Sequence, residues 1–137
     1  MEWSKKHYIV SDDVELLDVE SIYQMLVNTY WASNRTRKVI EQSIKHSISF
    51  GMYEEGKQIG FARVVTDRVV FSWIMDVVID ADYRGKGLGE WLMDCVLEHP
   101  DIKYTAIALA TSDAQDFYRK FKFRKIECMT RPIVERE

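Results

Sequence analysis

The stretch that most constrains this chain is Val77-Val78-Ile79-Asp80-Ala81-Asp82-Tyr83-Arg84-Gly85-Lys86-Gly87-Leu88-Gly89. Here an apolar, strand-like run passes through a glycine-rich turn directly into the helix-like Glu90–Leu97. Glycines let a backbone approach a ligand closely and adopt positive φ, and the unpaired amides at a helix start face outward with the positive end of the helix dipole behind them. A strand, a glycine turn and a helix in that order therefore predict a site for an anion, with a phosphate or diphosphate as the natural guest.

Two familiar phosphate loops do not fit. No Gly-Lys-Ser/Thr follows a four-residue spacer, and the three glycines are not spaced as the dinucleotide fingerprint requires, nor followed by a long alternation of strands and helices. At 137 residues the chain is expected to form one domain, too short for a cofactor domain plus a separate substrate domain. A net charge of −3 without a basic block disfavours nucleic acid as a partner. Cys95 falls in a helical apolar pattern and Cys128 in a late strand-like run, so both read as core thiols rather than metal ligands or a disulfide, and no metal is expected. No apolar run approaches membrane-spanning length, which leads to the expectation of a soluble cytoplasmic protein with no membrane partner.

Periodicity predicts the remaining elements. A short edge strand at Tyr8–Val10 precedes cap and turn chemistry at Ser11-Asp12-Asp13. A helix follows through Leu16, Leu17, Val19, Ile22, Tyr23, Leu26 and Val27, its start within several residues of Asp18. A second helix is predicted at Thr36–Ser47, after the aromatic and polar loop Tyr30–Arg35. The period then becomes two. A hairpin is predicted with strands Phe50–Tyr53 and Gln58–Asp67 around Glu54-Glu55-Gly56-Lys57. The long strand Val69–Ile79 is apolar except for Ser72 and Asp76, and is expected to be covered on both faces. After the glycine turn come a helix to about Glu98, a stop at His99-Pro100, a strand at Tyr104–Leu109, a helix at Asp113–Lys120, and strands near Phe123–Met129 and Ile133–Glu135. The fold class is thus mixed α/β, a central twisted and mostly antiparallel sheet flanked by about four helices.

Arg84-x-x-Gly87-x-Gly89, with its strand and helix, resembles the acetyl-coenzyme A signature of the GCN5-related N-acetyltransferase (GNAT) family. About thirty residues on, Leu109-Ala110-Thr111-Ser112-Asp113-Ala114-Gln115-Asp116-Phe117-Tyr118-Arg119-Lys120-Phe121-Lys122-Phe123 is similar to that family's strand, short helix and Phe-Tyr-x-Lys-x-Gly-Phe ending. The resemblance covers roughly residues 57–129 and implies the GNAT layout. It implies that the cofactor lies where the strands ending near Ile79 and Leu109 part. Backbone groups of Val77, Val78 and Ile79 would then pair with the pantetheine arm as an added strand pairs with an open edge. Amides of Arg84, Gly85, Lys86, Gly87, Leu88, Gly89 and Glu90 would hold the pyrophosphate, with charge from Arg84 and Lys86. Asp113 and Phe117 would belong to the same cofactor site.

By the same resemblance Tyr118 stands where many members protonate the departing thiolate; read without it, Tyr118 is a helix tyrosine packing beside Phe117 and Phe121. An alkyl amine acceptor of pKa ~10.4 is only about one part in two thousand neutral at pH 7, a cost of roughly 4.6 kcal/mol, so a proton acceptor is needed. Asp76, a carboxylate in an apolar strand, is the candidate. Its rival role is structural, bonding a backbone amide or Arg63. Tyr30, Trp31 and Trp73 could line an amine pocket through cation–π contact, or be core. His46 reads as a bystander and His99 as a helix end.

Three positions depart from the family pattern: Ala81 for proline, Asp113 for asparagine, and Lys122 for the glycine that ends the Phe-Tyr motif, where a left-handed conformation would cost lysine about 1 kcal/mol. The expected function is direct acetyl transfer from acetyl-coenzyme A to a small-molecule or peptide primary amine in a ternary complex, by a monomer or homodimer. The alternatives are a non-catalytic acyl-coenzyme A sensor or partner domain and a plain nucleotide-binding module. The acceptor stays open.

Overall fold

The computed structural model describes residues 1–136. Six strands lie in their sequence order in one sheet: β1 (Glu2–Lys5), β2 (Tyr8–Ser11), β3 (Ile48–Glu54), β4 (Lys57–Thr66), β5 (Phe71–Ile79) and β6 (Ala106–Ala108). Every neighbouring pair is antiparallel except β5 with β6, which is parallel. The helices are α1 (Val19–Leu26), α2 (Arg37–Lys45), α3 (Leu88–Glu98) and α4 (Gln115–Arg119).

Local chemistry explains most boundaries. Glu55 and Gly56 both have positive φ, +48° and +84°, the two-residue turn whose twist matches a hairpin, so β3 and β4 pair from Glu54↔Lys57 onward. Asp18 begins α1 by accepting from the amides of Glu20 and Ser21, and Thr36 begins α2 by accepting from that of Val39. Such caps are worth about 1 kcal/mol each. The Asp13 cap expected for the first helix instead serves a separate 3-10 turn, Val14–Leu16, because Asp18 supplies a second cap five residues later.

Helices α1 and α2 cover one face of the sheet, closing a core of Ile22, Met25, Leu26, Ile40 and Ile44 on Phe61 and Val78. Helix α3 covers the other face, where Leu88, Leu92, Met93, Cys95 and Val96 meet Phe50, Ile59, Ala62, Val64 and Ile74. Strand β4 is buried from Gln58 to Val64, whereas β5 alternates between buried and half-buried residues. The strand covered on both faces is therefore β4 and not the longer apolar run. Val69 and Val70 lie exposed in the turn between β4 and β5, held by the Asp67 carboxylate, which accepts from the amides of Val69, Val70 and Phe71.

Two other expectations fail. An additional antiparallel edge strand, β1, exists at Glu2–Lys5, and residues 122–136 form no strand. In the latter segment Ile126, Met129, Ile133 and Val134 are all exposed, so its apolar residues bury no face that could fix a register. Cys128 is likewise exposed, while Cys95 is core. His99 does end α3, but it is also buried, accepting from the Asp101 amide through Nδ1 and meeting Asp12 through Nε2 at 2.8 Å. No helix among the described residues is long and apolar enough to cross a membrane, and none of their His, Cys, Asp or Glu side chains cluster in threes suited to a metal ion.

Candidate active site

A bulge in β5 creates the site. Phe61 pairs with Val78 and Arg63 with Met75, so Ala62 alone opposes both Asp76 and Val77, and Asp76 takes φ +57°. One extra residue reverses which face each later side chain meets. Ile74 packs under α3, yet Val78, also at an even position, packs under α1 and α2. Asp76 is turned to the α1–α2 side, while Val77 and Ile79 pack toward the α3 core.

The parallel β5–β6 ladder holds only at Phe71↔Ala106, Ser72↔Ile107 and Trp73↔Ala108. Beyond Trp73 the two strands part, leaving Ile74–Ile79 without a strand partner on that side. A cleft of two adjoining chambers, each about 670 Å³, opens there. Tyr30, Trp31, Val77, Asp113, Ala114 and Tyr118 line both and so mark the passage between them.

The outer chamber is walled by Val77, Val78 and Ile79, by Arg84, Gly85, Gly87, Leu88, Gly89 and Glu90, and by Phe117 and Lys120. Gly85 and Gly87 have φ +79° and +76°; Gly87 is the residue before α3, and no side chain caps that helix. The first amides of α3 thus face the chamber without an internal partner. A Cβ on Gly89 would sit 3.7 Å from Phe117 and 3.8 Å from Ile79, ordinary contact distances, so the fold itself does not require glycine there. The Arg84 guanidinium donates through Nε to the Ile79 carbonyl at 3.2 Å. Lys86 is not among the lining residues; its ammonium lies 5.2 Å from the Tyr83 ring centre. Lys120, one turn after Phe117, pairs with Glu90 at 2.8 Å and ties α4 to the start of α3.

The inner chamber is lined by Arg35, Trp73, Met75 and Asp76 together with the shared residues. Asp76 has a side chain only 1% exposed, and its Oδ2 accepts from Arg63 Nε at 2.9 Å and from Arg35 Nη1 at 2.5 Å. Its Oδ1 is buried with no hydrogen-bond partner among the described residues. The structural partnership with Arg63 is therefore present, and one oxygen is left over. Trp31 is exposed and Trp73 half-buried, so neither is plain core. Tyr30 accepts from the Ser112 amide at 3.1 Å, which joins the α1–α2 loop to the β6–α4 loop and lowers the Tyr30 phenol below its usual range. Burial, reinforced by Tyr30 and Asp113, pushes Tyr118 up to about 12.

Arg35 and Lys120 are the lining charges that periodicity did not mark. Arg35 stands outside any regular element, and only the long-range meeting with Asp76 gives it a place. Lys120 could have been noted from its spacing after Phe117.

The model of the acetyltransferase (GNAT) domain matches residues 45–125, which contain the bulged strand, the glycine turn and α4. The chain belongs to the GNAT acetyltransferase family. A GNAT-family protein of Xanthomonas campestris pv. campestris superposes with a TM-score of 0.88 at 35% identity, covering 93% of this chain and 94% of that one. A Gibberella zeae protein bearing an acetyltransferase name is 29% identical over 116 residues, 70% of this chain and 66% of its own length. A Prochlorococcus marinus protein named uncharacterized N-acetyltransferase ycf52-like is 31% identical over 96 residues, 67% of this chain and 53% of its own. The chain thus spans about half to two thirds of those two relatives. A Staphylococcus aureus protein with a TM-score of 0.75 at 20% identity, covering 95% of this chain and 99% of that one, shares the fold.

Lys122 has φ +70°, so this GNAT chain keeps the left-handed turn without the glycine. Lys122→Gly is expected to raise stability by about 1 kcal/mol, read as a higher urea midpoint with unchanged slope. An unchanged or lower midpoint would show that the turn is not strained.

Proposed function

We propose that this GNAT domain transfers an acetyl group from acetyl-coenzyme A directly to a primary amine. The observation that carries the reading is the unpartnered β5 edge over Ile74–Ile79, which meets the uncapped start of α3 in one cleft whose inner chamber contains a buried carboxylate. An extended pantetheine amide chain suits an open strand edge, and a diphosphate suits amides at a helix start. The Gly85 to Glu90 turn fits the second requirement, and Val77–Ile79 fits the first. Asp113 and Phe117 close the cofactor chamber from α4 and the loop before it. Arg84 contributes by fixing the end of β5, and Lys86 supplies charge from outside the lining.

In the ternary complex the neutral amine nitrogen forms the new C–N bond with the thioester carbonyl carbon. The C–S bond breaks and its electrons leave with sulfur. A β5 amide donor would stabilise the intermediate oxyanion, an effect commonly worth a few kcal/mol. The nitrogen proton passes to Asp76, whose Oδ1 is buried and has no hydrogen-bond partner among the described residues. Tyr118, which lines the passage between the chambers, gives a hydrogen bond to the departing thiolate. Tyr30, Trp31 and Trp73 wall the acceptor chamber with aromatic faces suited to a cation.

Calorimetry with acetyl-coenzyme A and with free coenzyme A, followed by thiol release across an amine panel, tests this. Binding without turnover on any amine would favour the acyl-coenzyme A sensor, and no binding of either would remove the reading altogether. Gly89→Ala separates the cofactor site from the fold. Its added methyl meets only ordinary contacts, and alanine favours a helix over glycine by up to about 1 kcal/mol, so stability should hold or rise. The coenzyme A dissociation constant should rise about tenfold or more, since a lost backbone contact to a charged group costs about 1.5–3 kcal/mol. Equal affinity in the variant would place the diphosphate elsewhere.

A further inference from the structure

We infer that the acceptor is an amine that carries its own carboxylate, an amino acid with an apolar or aromatic body, and that Arg35 sets this specificity by pairing with that carboxylate. The inference rests on the acetyltransferase reading for its chemistry and goes beyond it by naming the acceptor class.

The two arginines at Asp76 are placed differently. Arg63 is spent within the protein: Nε bonds Asp76, Nη1 the Ser47 hydroxyl at 3.2 Å and Nη2 the Met75 sulfur at 3.4 Å, and the side chain is 9% exposed. It does not line the cleft. Arg35 lines the inner chamber with a side chain 19% exposed, and its only side-chain partner among the described residues is Asp76 Oδ2 through Nη1. A guanidinium has five donors in a fixed fork, and Nε and Nη2 have no partner among the described residues. That fork matches the two oxygens of a carboxylate, and a half-buried position strengthens the pair.

Two guanidiniums share one carboxylate, so the Arg35–Asp76–Arg63 cluster by itself carries a formal excess of one positive charge. The other lining charge, Asp113, belongs to the passage shared with the cofactor chamber. Asp113 balances that excess over the chamber as a whole, so selection falls to the local pairing at Arg35. An amino acid offers its carboxylate to Arg35 and its nitrogen toward Asp76, whose Oδ1 is buried without a hydrogen-bond partner among the described residues, so opposite charges of one ligand meet opposite charges of the protein. Tyr30, Trp31 and Trp73 then leave an apolar surface for the side chain.

The test pairs amino acids with their decarboxylated amines, phenylalanine with phenethylamine and leucine with isoamylamine, in calorimetry on the protein saturated with free coenzyme A and in thiol-release kinetics with acetyl-coenzyme A. The full chain should bind and acetylate at least one amino acid with a preference of tenfold or more over its decarboxylated partner. Arg35→Gln should reduce that preference to within about threefold, through KM rather than kcat, while coenzyme A binding is retained; Arg35→Lys should restore part of it. Equal or better use of the decarboxylated amines by the unaltered protein overturns the inference and leaves acetyl transfer standing. A carboxylate-dependent, Arg35-dependent binding preference without turnover supports Arg35 as the carboxylate-binding residue, and overturns the ligand's role as acceptor together with the catalytic reading. The absence of any binding preference overturns it whatever the variants do.

Discussion

Tyr118→Phe is expected to lower kcat by about 10²- to 10³-fold, within the range by which positioned proton donors act. Coenzyme A affinity should change little, because the ring that closes the cleft is kept. Folding should be equally unaffected, since burial and nearby charges, with no hydrogen bond, act on the Tyr118 hydroxyl. The size of the phenol's shift also limits what it does. A proton held up to about 12 moves to a thiolate near pKa 8.5 only against roughly 5 kcal/mol, so the hydroxyl acts by hydrogen bonding to developing charge rather than by early transfer. Burial keeps the neutral phenol, so its contribution to stability is fully present below the ordinary value of 10 and is lost as the pH rises toward about 12. The kcat profile should accordingly show no limb from this group up to pH 10. A variant with unchanged kcat across that range would assign the ring to packing alone.

For Asp76→Asn the largest effect falls on stability, about 3–5 kcal/mol, because removal of one partner leaves buried charges uncompensated. Here two guanidiniums lose their common carboxylate, and Arg63 is nearly buried. Urea unfolding should show the loss directly, and a shift below about 1 kcal/mol would mean the cluster is solvated and the bulge is held by backbone pairing. Acetyl transfer should fall in the same variant by the loss of the amine's proton acceptor. The two consequences separate when turnover is measured at a temperature where the variant is still folded. Arg35→Gln should cost less than Asp76→Asn, since Arg63 still holds Asp76 Oδ2 at 2.9 Å. The carboxylate is thus both structural and a candidate participant in the chemistry: Oδ2 is bonded to both arginines, and Oδ1 is buried without a partner among the described residues.

The glycine turn was legible because its physics is local. Positive φ at Gly85 and Gly87, and a helix start with no capping side chain, follow from residue types within a few positions, and so do the Glu55-Gly56 turn and the caps at Asp18 and Thr36. The acceptor chamber was only partly legible. Tyr30, Trp31, Trp73 and Asp76 stood out by type, but nothing in the periodicity of β5 announced its bulge. The run Ser72–Ile79 reads as one unbroken strand, and its buried and half-buried residues alternate without a break. The terminal run 122–136 misled for the converse reason: its residues favour strands, yet no partner edge gives them a face to bury.

What the sequence by itself determined is the family, the order of the elements and the strand-turn-helix that can hold an anion, since each depends on neighbours within one or two turns of chain. Tertiary structure alone decided that the sheet changes faces at Asp76, that Arg35 and Arg63 converge there from positions 41 and 13 residues away, and that β5 and β6 part after Trp73. Those features arise from which residue on β4 opposes which on β5, and a one-residue offset in that pairing costs little locally while reversing every side chain beyond it.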